Sequence, residues 1–183
     1  MQQGRQILSP DSFKITLLRL AHEIIENYSH EEAIHIIGIQ EKGVILGNRL
    51  IEIISKKLPN KKINFGKLDI TFYRDDFRLR STPLTANATQ IDFNIEDQRI
   101  ILIDDVLYTG RTIHAAISAL QDFGRVKHIE MLTMVDRRFN RHLPIMADYV
   151  GLQVDSLDES YVRVQWEHIE GQDKVLIQTA NKK

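Results

Sequence analysis

Two adjacent carboxylates, Asp104 and Asp105, end the apolar run in "IILIDDVLYTGRT" (100–112), and a Thr-Gly-Arg-Thr turn follows. Neighbouring acids at the end of a strand accept hydrogen bonds from a vicinal diol. Thr109, Gly110, Arg111 and Thr112 supply backbone N–H groups and hydroxyls at a helix start, where a phosphate binds well. Gly110 lets the backbone come close to such a group. Diol acceptors followed by an anion nest suit a ribose and its 5'-phosphate. The plainer alternative is that the acids only terminate the strand and Thr109 or Thr112 caps the helix.

Rival chemistries are short of residues. An apolar strand ending in two acids also fits the magnesium-holding strand of a P-loop ATPase, which requires G-x-x-x-x-G-K-[ST] elsewhere. The nearest match, "GIQEKGVI" (38–45), has Gly38 and Gly43 at the right spacing but Val44 and Ile45 in place of the Lys and Ser/Thr. No G-x-G-x-x-G follows a strand, no G-x-S-x-G occurs, and "HEIIE" (22–26) is not H-E-x-x-H. The seven histidines show no metal spacing, and the absence of cysteine removes disulfides, zinc thiolates and thiol catalysis.

The elements that must position Asp104 and Asp105 alternate in type. Ser9-Pro10-Asp11 reads as an N-cap, a first-turn proline and a dipole-favoured acid. The helix they open carries Leu17, Leu20, Ala21, Ile24, Ile25 and Tyr28 on one stripe. "AIHIIGI" (33–39) reads as a buried strand, and a helix from Gly43 aligns Gly47, Leu50, Ile51, Ile54 and Leu58. A strand is expected over 63–73, then a polar stretch, "RDDFRLRSTPLTANATQ", of a length that compact domains seldom keep without a use. The acidic strand (100–104), a helix from about Gly110 and the apolar strand "HIEMLTMV" (128–135) follow. This alternation predicts an α/β fold, a parallel sheet with helices on both faces. In such sheets ligands sit beyond the carboxyl ends of the strands, where Asp104 and Asp105 lie. The tail from Tyr161 to Ile177 alternates as a small antiparallel addition would, with Trp166 in its core or at an interface.

Composition sets the frame. The chain has 183 residues, 43% of them hydrophobic and 27% charged, which suits one globular domain over 1–183. A formal charge of -1 means that no bulk field draws it to nucleic acid or an anionic membrane, so such binding needs a local patch. "MQQGRQILSPDSF" lacks the apolar core of a signal peptide and no run approaches a membrane span, so a cytoplasmic protein is expected.

"IILIDDVLYTGRT" resembles the binding motif for phosphoribosyl pyrophosphate (PRPP) of type I phosphoribosyltransferases. "LRLAHEIIE", "GIQEKGV", "GKLDITFYRDD", "DDVLYTGRT", "MVDRR" and "LPIMADYVG" occur in order and resemble the PyrR family, pyrimidine operon regulators with uracil phosphoribosyltransferase activity. The resemblance implies a type I phosphoribosyltransferase sheet with a flap loop, Asp104 and Asp105 on the ribose hydroxyls, and Thr109, Gly110, Arg111 and Thr112 on the 5'-phosphate. Lys42 and Gly43 would bind pyrophosphate, Tyr73, Arg74, Asp75 and Asp76 would begin the flap, and Val135, Asp136 and Arg137 would border the uracil pocket. It implies Mg2+ carried by PRPP with no direct protein ligand, a homodimer or larger assembly, UMP or UTP as nucleotide partners, and an RNA surface including Arg19, His22 and Arg141 that reads a pyrimidine leader mRNA.

The sequence departs from that family pattern in places. Lys42 stands where relatives often have arginine, which gives up the bidentate fork. "DRRFNRHLPI" is one residue longer than the usual form, Met146 replaces a common basic residue, and Asp155, Asp158 and Glu159 bring acid into a region often basic. Lost cations weaken RNA affinity. Two alternatives stay open: a purine phosphoribosyltransferase, because the sugar phosphate motif does not specify the base, and a non-catalytic nucleotide-sensing regulator.

Overall fold

The computed structural model describes residues 4–75, 87–155 and 160–179. Its centre is a five-stranded parallel sheet in the order β3-β2-β4-β5-β6, formed by β2 (Ala33–Ile39), β3 (Lys62–Leu68), β4 (Arg99–Leu107), β5 (His128–Arg137) and β6 (Tyr149–Val154). A second sheet, β1-β8-β7, is antiparallel and joins β1 (Arg5–Leu8) to β8 (Lys174–Thr179) and β7 (Ser160–Gln165).

Both faces of the parallel sheet are buried, which is why its strands read as unbroken apolar runs. Ile34 and Ile36 of β2 and Ile101 and Ile103 of β4 point to one face, where α1 (Pro10–Asn27), α2 (Lys42–Lys57) and the antiparallel sheet pack. Ile37 and Ile39, with Ile100 and Leu102, point to the other, under α3 (Arg111–Leu120). The start of α1 is as expected: the Ser9 hydroxyl accepts from the Ser12 N–H at 3.3 Å, with Pro10 in the first turn. Leu17, Leu20, Ala21, Ile24 and Tyr28 are buried along its stripe, joined by Phe13. Trp166, at the head of α4 (Glu167–Glu170), is fully buried with its ring edge-on to Phe13 at 5.5 Å.

Several elements differ from the sequence expectation. The strand expected over 63–73 stops at Leu68, and a single 3-10 turn covers Thr71–Tyr73. The cause is local: the Asp69 carboxylate accepts the Thr71 N–H at 2.7 Å, an Asx turn that takes the chain out of the ladder. The strand expected to end at 104 runs to Leu107, and its pairing with β5 continues through Val106–Val135 and Leu107–Asp136. The short edge strands β1 and β6 were not anticipated; neither has the length or alternation to stand out. The small C-terminal addition does form, but it draws its third strand from the amino terminus. Among the described residues no helix is long and apolar enough to cross a membrane.

Candidate active site

The carboxyl ends of β2, β3 and β4 and the first turns of α2 and α3 enclose a cavity of about 440 Å³. Asp104 and Asp105 form its floor, each 9% exposed. They sit inside the ladder because Thr133 of β5 carries it past them. Its hydroxyl accepts from the Leu107 N–H at 3.1 Å and lies 3.2 Å from the Asp105 carbonyl oxygen. Asp104 Oδ1 accepts from the Asp105 N–H at 2.9 Å, and Lys42 Nζ stands 3.3 Å from Asp105 Oδ2. Burial pushes the Asp104 carboxyl well above the usual carboxylate range, and the charge of Asp105 adds to this. Burial raises Asp105 as well, with Lys42 opposing. Lys42 and backbone N–H groups already reach Asp105, and hydroxyl donors would add to them.

Lys42 owes its place to the start of α2. Gln40, Glu41 and Lys42 line the cavity, the Gln40–Glu41 peptide is cis, and Gly43 packs so closely on β4 that a Cβ there would lie 2.2 Å from the Ile103 carbonyl oxygen. Gly110, like Thr109 and Arg111, lies outside the cavity lining; it takes φ 90°, a left-handed conformation that caps α3 and turns the chain from β4 into the helix. Thr112 lines the cavity and the Thr109 hydroxyl lies 3.4 Å from the Arg111 N–H. The Thr109 carbonyl accepts from His142 N (3.0 Å) and Leu143 N (3.2 Å), so the segment after β5 fastens onto this turn.

The expected flap residues divide. Arg74 lines the cavity and its charge bears on Asp104; Asp75 pairs with Arg111; the Tyr73 hydroxyl donates to Asp122 of the α3 end. Asp76 lies outside the described residues, as do Asp158 and Glu159. Val135, Asp136 and Arg137 are buried at the carboxyl end of β5, beside the cavity lining rather than in it. Arg137 stacks on the Tyr108 ring at 3.8 Å, and Asp136 pairs with Arg141, which also donates to the Tyr108 carbonyl. Arg141 therefore turns inward. Arg19 pairs with Glu23 at 2.8 Å and donates to the carbonyls of Val150 (2.9 Å) and Gly151 (2.7 Å), while His22 is exposed one turn along α1. Met146 is 85% exposed, and Asp155 is bound by Arg138 through two 2.6 Å hydrogen bonds.

Five cavity residues escaped the sequence reading: Asp69, Ile70, Thr71, Asn87 and Val106. Asp69 is 8% exposed and accepts the N–H groups of Thr71 and Asn87, the latter at 2.9 Å. Burial alone would raise its carboxyl; these hydrogen bonds outweigh burial and hold it below the usual range. The signal for Asp69 was available: an Asp directly after an apolar strand, two residues before a Thr, is an Asx-turn pattern. A larger cleft of about 660 Å³ opens at the other end of the sheet, among Ala33, Lys62 and Arg99, away from the carboxyl strand ends.

Similarity to known proteins agrees with this geometry. A family model described as a phosphoribosyl transferase domain matches residues 4–168. The bifunctional protein PyrR of Caldicellulosiruptor bescii is 42% identical over 178 residues, covering 97% of each chain. That of Deinococcus radiodurans is 43% identical over 169 residues, 92% of this chain and 91% of the relative. Among solved structures, a hypoxanthine-guanine phosphoribosyltransferase from Bacillus anthracis has a TM-score of 0.71 at 16% identity, covering 98% of this chain and 99% of that one. The hypoxanthine phosphoribosyltransferase of Trypanosoma cruzi has a TM-score of 0.70 at 12% identity, covering 97% of each. At such identities the shared feature is the fold.

Proposed function

The chain belongs to the PyrR family of phosphoribosyltransferases, and from that premise we propose that it converts uracil and PRPP to UMP and pyrophosphate and also regulates pyrimidine genes by binding their leader mRNA. The observation that carries the catalytic half is the buried Asp104–Asp105 pair followed by the left-handed Gly110 turn. Ribose hydroxyls donating to the two carboxylates supply the hydrogen bonds that burial withholds, and their binding draws the pair toward its ionised form. The 5'-phosphate meets the N–H groups and hydroxyls of Thr109, Gly110, Arg111 and Thr112 at the start of α3.

Uracil N1 attacks C1 of the ribose, the bond from C1 to the pyrophosphate oxygen breaks, and the N1 proton passes to the departing pyrophosphate. Positive charge grows on the ribose while negative charge grows on the leaving group, so a preorganised, water-poor site favours the transition state. Lys42 and Arg74 line the cavity, and in this reading they stabilise the departing pyrophosphate. The donor set suits magnesium: Asp104 and Asp105 offer hard oxygen atoms. The ion would arrive on PRPP. When bound, it supplies charge neutralisation on the pyrophosphate. Val135, Asp136 and Arg137 form the base side of the site, and the protein works as a single cytoplasmic catalytic domain that assembles at least as a homodimer.

The deciding experiment is conversion of labelled uracil to UMP with PRPP and magnesium, with hypoxanthine, guanine and adenine in parallel, comparing the intact protein with Asp104→Asn plus Asp105→Asn. Uracil-specific turnover that the double variant loses supports the reading. Turnover of a purine instead would overturn the base assignment, and UMP binding without turnover would make the protein a nucleotide-sensing regulator.

A further inference from the structure

Asp69 is a buried carboxylate in the cavity wall that meets backbone on both sides of the flap. Its Oδ1 accepts the N–H of Thr71, where the chain leaves the sheet, at 2.7 Å. Its Oδ2 accepts the N–H of Asn87, where the chain returns, at 2.9 Å. Its own N–H donates to the Thr89 hydroxyl at 3.0 Å. Beside these contacts, Lys67 and Gln90 exchange two backbone hydrogen bonds of 2.8 Å. The two arms that leave and re-enter the sheet are thus joined side by side, by backbone and by the side chains of Asp69 and Thr89.

A buried charged group of this kind is costly unless hydrogen-bonded, and backbone N–H donors are what satisfy it here. A strand terminator needs only the Thr71 contact. The second oxygen, spent on Asn87, has no role in ending β3; it fixes the spacing between the arms. The outgoing arm carries Arg74 into the cavity from the 3-10 turn that the Thr71 contact begins. We propose that Asp69 is a positioning residue for phosphoribosyl transfer, clasping both arms of the flap so that Arg74 is presented to the leaving pyrophosphate. This rests on the phosphoribosyltransferase reading above. The clasp acts before substrate arrives, because both of its acceptor contacts are to backbone.

The test uses the full chain with Asp69→Asn, Arg74→Ala and the double variant. Asparagine keeps the shape of the side chain but offers one oxygen and an NH2 group that only donates, so one of the two backbone N–H groups faces no acceptor. Three readouts are taken: amide hydrogen exchange at Thr71 and Asn87, PRPP affinity by calorimetry, and kcat for UMP formation. The expected result is faster exchange at one or both amides, unchanged PRPP affinity, and a kcat lowered on the order of 10- to 100-fold, the scale of a misplaced catalytic group. Adding Asp69→Asn to Arg74→Ala should cost nothing further, because residues acting through one another are not additive. A merely structural Asp69 would lower kcat in both backgrounds alike. Unchanged exchange at both amides would overturn the clasp. Faster exchange with wild-type kcat, or a full additional loss in the double variant, would overturn the positioning role. An intact protein that turns over no base at all refutes the underlying reading, and the positioning role falls with it, while the exchange data still report on the clasp.

Discussion

Replacing Gly43 by alanine tests the claim that the site is set by how tightly the first turn of α2 seats on β4. The added Cβ would lie 2.2 Å from the Ile103 carbonyl oxygen, 3.0 Å from the Ile103 carbonyl carbon and 3.2 Å from the Asp104 Cα, against an ordinary contact of 3.4 Å or more. All three atoms are backbone of a central strand, so none can swing aside, and α2 must retreat by about 1 Å. Overpacking of this kind costs about 1–3 kcal/mol. For a chain of this size that lowers Tm by about 2–4 °C per kcal/mol. Catalysis suffers more, because the retreat carries Lys42 away from Asp105, its partner at 3.3 Å. A misplacement of about 1 Å reduces kcat/KM on the order of 100-fold. The assay is initial-rate UMP formation beside scanning calorimetry, with Gly171→Ala as control. Gly171 has φ 78° and nothing within 4 Å of an added Cβ, so its variant meets only backbone strain of about 1 kcal/mol and keeps its turnover. A Gly43→Ala protein with the kcat/KM and Tm of the parent would refute the reasoning.

Asp104→Asn should abolish UMP formation yet raise Tm at neutral pH. A carboxyl whose folded pKa is raised stabilises the fold only while protonated, and that stability is lost as pH rises through the folded value, so the variant's advantage should fade toward acid pH; an equal gain at every pH would contradict it. Glu130 accepts from Arg99 at 2.5 Å, from the Tyr28 hydroxyl at 2.8 Å and from the Tyr149 hydroxyl at 3.1 Å, and burial together with Glu130 pushes the Tyr149 phenol up to about 12. Glu130→Ala strands three donors and should destabilise by about 3 kcal/mol in denaturant titrations, leaving the active cavity intact. Hydrogen bonds hold the Glu130 carboxyl below its usual range against burial, so its contribution is present above the unfolded carboxylate pKa and disappears as pH falls through the folded value. Arg19→Ala plus His22→Ala should weaken binding to the pyrimidine leader RNA and reduce the steepness of its salt dependence by about one phosphate contact; an unchanged slope would remove α1 from the RNA surface.

What the sequence by itself determined is the part of this protein written in contiguous residues. The apolar runs of β2, β4 and β5, the capped start of α1 and the turn at Gly110 each depend on neighbours a few positions away, so their periodicity and turn chemistry were legible. The acidic pair and the turn that follows it were legible for the same reason. Tertiary structure decided what depends on distant partners. Thr133 extends β4 past Asp104 and Asp105 and thereby buries them. β1 and β6 exist only because β8 and β5 offer them an edge. Arg141, a surface cation in the sequence, is claimed by Asp136 and the Tyr108 carbonyl, and Asp69, an ordinary acid after a strand, gains Asn87 from the far side of the flap. A side chain's type fixes which bonds it can make, whereas burial and the partners brought to it by the fold decide which of them it does make.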